Sequence, residues 1–258
     1  MPWNLSQLYL ILPAFMLVLV RVGGLMFTAP VFGSRSIPTR VKLFFSLALT
    51  AMIFPIVGPK VGASLTLGTA VVGLAGELMI GLIMGLSLTL VFTGVQLGGL
   101  MIGQQAGIAL AEVFNPMIES QSSVFGELLF FVMLMIFLAV NGDQALLEAM
   151  MDSFTMIPLL GFGFGAEPVA LLVGVLRSSY GLALKVSGPA LIALFLTSMS
   201  MGLISRTMPQ MNILAVGFVL RVLAALTALI FTISLMGVAV VDQLGETFEQ
   251  MRALMGLD

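Results

Sequence analysis

Cysteine and histidine are absent from this 258-residue chain, and charge is scarce. Without thiols there is no disulfide and no thiolate ligand. Without imidazole the commonest general base and a leading metal ligand are gone. A Ser-His-Asp or Cys-His centre is therefore excluded. Lys and Arg number 10 and Asp and Glu 12, so the net charge is −2 and no basic surface invites nucleic acid. Charged residues make up 9% of the chain, where soluble domains carry about 25%. Apolar residues fill the space: 60% of the chain is hydrophobic and the mean hydropathy is +1.18. Such a chain is an integral membrane protein or the core of a membrane assembly. No basic region precedes the first apolar stretch and no small-residue cleavage site follows it, so that stretch is expected to be retained.

Six apolar stretches stand out, at roughly 10–32, 41–57, 65–103, 124–140, 169–204 and 213–241. A bilayer span needs about 20 residues. In lipid every backbone group must pair internally, so these stretches are expected to be helical. The third and fifth are too long for one simple span: each holds two elements or projects well beyond the hydrocarbon layer. Pro189 is expected to kink the fifth, because it deletes a backbone donor. The expected fold is all-α: a polytopic helical membrane-assembly protein of about six long kinked helices or hairpins, without a sheet.

Segment 141–168 does not span. Asp143, Glu148 and Asp152 alternate there with Leu146, Leu147, Ala149, Met150 and Met151, the pattern of a short amphipathic helix. It runs into Pro158 and Gly161-Phe162-Gly163-Phe164-Gly165, which serves as the internal boundary between a helical part at 1–165 and a hairpin at 166–258 of one integrated unit. Loop charge suggests orientation. Arg35, Arg40 and Lys42 lie between the first two stretches and Arg206 between the last two, so both loops are expected to face the cytoplasm.

Two features of the third stretch admit two readings each. Gly81/Gly85, Gly94/Gly98 and Gly99/Gly103/Gly107 recur at four-residue spacing, which lets another backbone approach closely. That backbone belongs either to this chain or to a neighbouring subunit. Glu77 is the one acid among four charges inside apolar runs, the others being Arg21, Lys185 and Arg221. Each costs about 2.5–3.5 kcal/mol at mid-bilayer, so each must pair, reach an interface or avoid lipid. They serve a carrier site, pairs between subunits, or a salt bridge within the chain. The 20 methionines, among them Met133, Met135, Met150, Met151, Met199, Met201, Met208 and Met211, suit either a compliant gate or ordinary apolar filling.

Between two glycine-rich runs lies a polar island at 104–123, with Glu112 and Glu119, no basic residue, and a turn signal at Asn115-Pro116. Leu110, Val113, Phe114, Met117 and Ile118 keep it partly apolar. Such a segment is a connector, or a stopper in a passage. A second polar break, Ser205-Arg206-Thr207-Met208-Pro209-Gln210-Met211-Asn212, forms the tip of the C-terminal hairpin.

Three regions resemble the FliR family of flagellar type III export-gate proteins, which has injectisome counterparts. The first is Arg21-Val22-Gly23-Gly24-Leu25 with Ala29-Pro30-Val31-Phe32-Gly33, continuing through Ser36-Ile37-Pro38 and Arg40-Val41-Lys42. The second is Gly107 through Pro116. The third runs from Lys185-Val186-Ser187-Gly188-Pro189 through Arg206-Thr207-Met208-Pro209-Gln210-Met211-Asn212 to Gly217-Phe218. Val219 stands where the family often has proline, and Arg221 keeps a positive charge often supplied there by lysine.

The resemblance implies a subunit without catalysis or cofactor. One copy would join several copies of FliP and FliQ in a helical channel complex of the inner membrane, within the flagellar basal body, that exports unfolded flagellar proteins. The N-terminal part would be FliP-like and the hairpin FliQ-like. The loop at 107–126 would be the plug, with Leu110, Val113, Phe114, Asn115, Pro116 and Met117 as its teeth. The tip, with Arg206, Pro209, Gln210, Met211 and Asn212, would face the cytoplasm near FlhB. Contact with membrane lipid, and none with nucleic acid, is expected. Two other readings remain: a secondary transporter of a small solute, with Glu77 and Lys185 as its candidate pair, and an assembly scaffold without a pore role.

Overall fold

The computed structural model describes residues 5–34, 37–57, 67–108, 123–163, 167–208, 210 and 213–254. Seven helices follow one another there: α1 Leu5–Thr28, α2 Thr39–Val57, α3 Leu67–Ala106, α4 Val124–Ala139, α5 Gly142–Met156, α6 Glu167–Thr207 and α7 Ile213–Leu254. No strand occurs among the described residues. Five of the helices are long and apolar enough to cross a membrane, and a sixth crossing results if α4 and α5, bent by 67° at their junction, count as one broken span. The all-α polytopic fold is as expected. At the bend Asn141 adopts a left-handed conformation, φ 55°, which its short polar side chain tolerates.

The two over-long stretches are single helices of 40 and 41 residues, α3 and α6. At 1.5 Å per residue each is about 60 Å long, twice the ~30 Å hydrocarbon layer. The last helix runs well past the apolar stretch that announced it. The amphipathic segment forms α5, whose inner face carries Leu146, Ala149, Met150 and Phe154.

The chain divides into two compact units. One comprises Met1–Leu90, Asn141–Leu176 and Gly245–Asp258; its core holds Leu17, Leu25 and Met26 of α1, Ile80 and Leu88 of α3, and Leu146 and Met150 of α5. The other comprises Val91–Val140 and Arg177–Leu244. Its core holds Phe92 and Ile102 of α3, Met133 and Phe137 of α4, Val186 and Leu194 of α6, and Ala225 and Met236 of α7. Phe92 meets Phe130 and Phe137 edge-on, each at 5.6 Å between centroids. Met133, Met150 and Met201 are buried filler, whereas Met135, Met199 and Met208 are exposed.

The glycine pairs of α3 resolve into seams within the chain. In the first unit Gly81 lies against the Arg21 carbonyl of α1, where any Cβ would collide. In the second, Gly94 and Gly98 face Ser179 and Ala183 of α6, and a Cβ on Gly99 would lie 2.6 Å from the Phe125 carbonyl and Gly126 of α4. Gly107 differs: it lies past the end of α3 at φ 86°. Its N–H donates to the Gln104 carbonyl at 3.1 Å and the Ile108 N–H to the Gly103 carbonyl at 3.2 Å. This is a Schellman ending, in which glycine supplies the left-handed residue that stops a helix. Its four-residue spacing from Gly103 is a coincidence of position, not a packing register.

Candidate functional site

Arg21 and Glu77 meet in the first unit with no solvent exposure at either side chain. Arg21 Nε donates to Glu77 Oε2 at 2.5 Å. Arg21 Nη1 donates to the Ser153 carbonyl at 2.8 Å and its hydroxyl at 3.2 Å, and Nη2 to the Ile157 carbonyl at 3.0 Å. The other Glu77 oxygen, Oε1, accepts from the Leu160 N–H at 3.0 Å. The Phe154 ring lies 4.3 Å from the guanidinium carbon. Every guanidinium nitrogen and both carboxylate oxygens are therefore engaged. That condition lets a buried pair persist despite a desolvation penalty of several kcal/mol per ion.

The knot explains why α5 sits where it does. The carbonyls at Ser153 and Ile157 belong to the C-terminal end of α5, the negative pole of its dipole. The buried guanidinium balances that pole, satisfies the Ile157 carbonyl and adds a second donor to the Ser153 carbonyl, which already accepts from the Ile157 N–H. The turn that follows places Leu160 at φ 70° and brings its N–H to Glu77. Phe162 then packs on Gly76 of α3. One charge pair thus holds α1, α3, the end of α5 and the turn beyond it. Of the readings for these two charges, the structure selects the salt bridge within the chain.

The other two charges differ. Lys185 is exposed on α6. Arg221 on α7 is half-buried, and its buried Nε has no hydrogen-bond partner among the described residues. The pair expected for a solute site, Glu77 with Lys185, is not what forms: both Glu77 oxygens are taken by Arg21 and Leu160.

The polar island is visible at its two anchors. Gln104 and Gln105 are exposed at the end of α3. Ser123 caps α4, its hydroxyl accepting from the Gly126 N–H at 3.4 Å. A Cβ on Gly103 would come within 2.8 Å of the Ser123 hydroxyl, so the segment leaves and returns at one place in the second unit. The proposed teeth, Leu110, Val113, Phe114, Asn115, Pro116 and Met117, lie outside the described residues. At the hairpin tip Arg206 and Gln210 are exposed, and Pro209, Met211 and Asn212 lie outside the described residues. Among the described residues no cluster of acidic side chains could hold a metal ion.

Sequence reasoning singled out Arg21 and Glu77 but not their partners. Ser153, Ile157 and Leu160 contribute mainly through their backbones, and no side-chain pattern reports that.

Comparison with known proteins places these features in context. The profile of the family described as bacterial export proteins, family 1, matches residues 12–247. The flagellar biosynthetic protein FliR of Bacillus subtilis (strain 168) is 30% identical over 249 residues, covering 95% of this chain and 95% of that protein. The FliR of Caulobacter vibrioides is 29% identical over 226 residues, covering 87% and 89%. That of Escherichia coli (strain K12) is 29% identical over 205 residues, covering 78% and 76%.

Proposed function

Because the chain belongs to the FliR family of bacterial export proteins, family 1, we propose that it is a non-catalytic subunit of the flagellar protein-export gate, a membrane-embedded assembly of the inner membrane. In this reading one copy joins FliP and FliQ in a helical channel for unfolded flagellar proteins. The loop at 107–126 closes the channel and the 205–212 tip faces FlhB.

The observation that carries the reading is the extent of exposed apolar surface on the hairpin. Within the second unit Tyr180, Ile192, Phe195 and Leu203 of α6 are each more than half exposed, as are Leu223, Ile230, Leu235 and Val238 of α7. From Tyr180 to Leu203 an α-helix rises about 35 Å, already more than the ~30 Å that lipid can cover, and the whole helix is twice that depth. Apolar surface that lipid cannot reach needs other protein, and elongated helical partners match its shape. The exposed Lys185 and the unsatisfied Nε of Arg221 support this reading, since neither cation on this apolar hairpin has a counter-charge among the described residues. Leaving such a donor buried and unpaired costs about 1–3 kcal/mol, which a partner's acceptor would recover.

Secretion tests the assignment. Cells lacking the chain are expected to stop releasing flagellar subunits into the medium, and a plasmid copy to restore release. Undiminished release would overturn the flagellar reading.

A further inference from the structure

We propose that α2 is the face by which this chain meets the bilayer: its outer side contacts acyl chains, and Arg40 and Lys42 at its start contact anionic headgroups. The proposal holds whether or not the export-gate reading does. In the window around α2 17% of residues are buried, against 44% for α1. Its amphipathicity is inside-out. The residues it turns inward are Ser46, Thr50 and Ile53. The two hydroxyls bond back to their own helix, Ser46 to the Lys42 carbonyl at 2.8 Å and Thr50 to the Ser46 carbonyl at 2.7 Å. The outer side carries Val41, Leu43, Phe44, Met52 and Ile56, each half or more exposed. Water does not select that arrangement; hydrocarbon does, because small and polar groups then gather at the helix contact.

Length and charge fit a bilayer rather than a protein groove. The helix has 19 residues, about 28 Å at 1.5 Å each, close to one hydrocarbon thickness of ~30 Å. Both its charges lie in the first turn, and no charge follows from Leu43 to Val57. Arg40 is exposed, and the Lys42 ammonium rests 5.8 Å from the centre of the Phe27 ring, as an interfacial lysine does when its stem stays on apolar surface.

The opposite end closes the frame. Phe15 meets Phe54 and Phe32 meets Phe45, so α1 and α2 run antiparallel side by side. Ile56 and Val57 then share a cavity with Phe154 and Thr155, at the end of α5. The exposed Asp152–Arg252 pair, 3.7 Å apart, therefore belongs to the edge away from Arg40. Arg21 and Glu77, which have no solvent exposure, are shielded from lipid by protein. Positive headgroup contacts at one edge are worth about a fivefold preference for anionic lipid per charge.

The chain has no cysteine, so single-cysteine variants carry one label each. A nitroxide on Val41→Cys, Phe44→Cys, Ala48→Cys, Met52→Cys and Ile56→Cys is read by electron paramagnetic resonance in vesicles of phosphatidylethanolamine and phosphatidylglycerol, with the chain in its native assembly. Oxygen accessibility is expected to exceed that of a water-soluble nickel chelate, with the ratio highest at Ala48 and Met52 and falling toward both ends. A label shielded from both reagents would place a protein partner on α2 and overturn the proposal, as would nickel access at Ala48. The unsubstituted chain supplies a second measurement. A photoactivatable phosphatidylglycerol carrying its reactive group in the acyl chain should mark peptides of α2, and their absence from the labelled set would overturn the lipid contact. R40Q with K42Q should lower co-purified phosphatidylglycerol relative to phosphatidylethanolamine; an unchanged ratio would overturn the headgroup contact.

Discussion

Arg21 and Glu77 show how much a pair of residues can decide in an apolar chain. Each alone inside a membrane helix is costly, and together they are acceptable only because Ser153, Ile157 and Leu160 complete their hydrogen bonds. Removing one partner strands the other. R21L or E77L is expected to destabilise the detergent-solubilised chain by about 3–5 kcal/mol. The double variant R21L/E77L should lose clearly less than the sum of the two. Thermal unfolding of the four proteins checks this; additive losses would mean that the two side chains act independently. That charges inside apolar runs need partners was legible in the sequence. The identity of those partners was not, because the decisive acceptors are the main-chain carbonyls of Ser153 and Ile157 at the end of α5 and carry no residue signature.

At the scale of elements, the apolar runs announced six of the seven helices, and the alternation of Asp143, Glu148 and Asp152 with apolar residues announced the seventh. Hydrophobic runs are legible because lipid or tight packing leaves the backbone no alternative to the helix. The partner of each glycine was not legible, since spacing marks a face without saying what lies against it. Gly99 now makes a sharp test. Alanine there would drive its Cβ into the backbone at Phe125–Gly126, so Gly99→Ala should lower stability by about 1–3 kcal/mol. A Cβ on Gly188 meets nothing within 4 Å, so Gly188→Ala should leave the chain's own stability unchanged or raise it, by up to ~1 kcal/mol from helix propensity. Equal losses in thermal unfolding would contradict the seam between α3 and α4. Gly107→Ala imposes a left-handed conformation on alanine at the helix stop, a cost of about 1–2 kcal/mol. It should fray the end of α3, seen as faster amide exchange at Gln104 to Gly107.

At the scale of the molecule, the central question is what covers its apolar surface. The three longest helices, α3, α6 and α7, exceed the bilayer, the hairpin is apolar on its outer side, and Lys185 and Arg221 lack counter-charges among the described residues. An assembly answers all three. In the proposed reading the loop at 107–126 is a closure, and Gly103 and Ser123 near its two ends lie side by side. Deleting 113–117 is expected to raise ion leak through the assembled complex severalfold, measured as conductance in planar bilayers. Unchanged conductance would reduce the loop to a connector.

The most direct measurement is the mass and composition of what co-purifies with a tagged copy in mild detergent. A complex far heavier than the 27.3 kDa chain, containing FliP and FliQ in several copies each, is the result this account predicts. A lone chain, monodisperse and stable with only detergent and lipid around it, would contradict it.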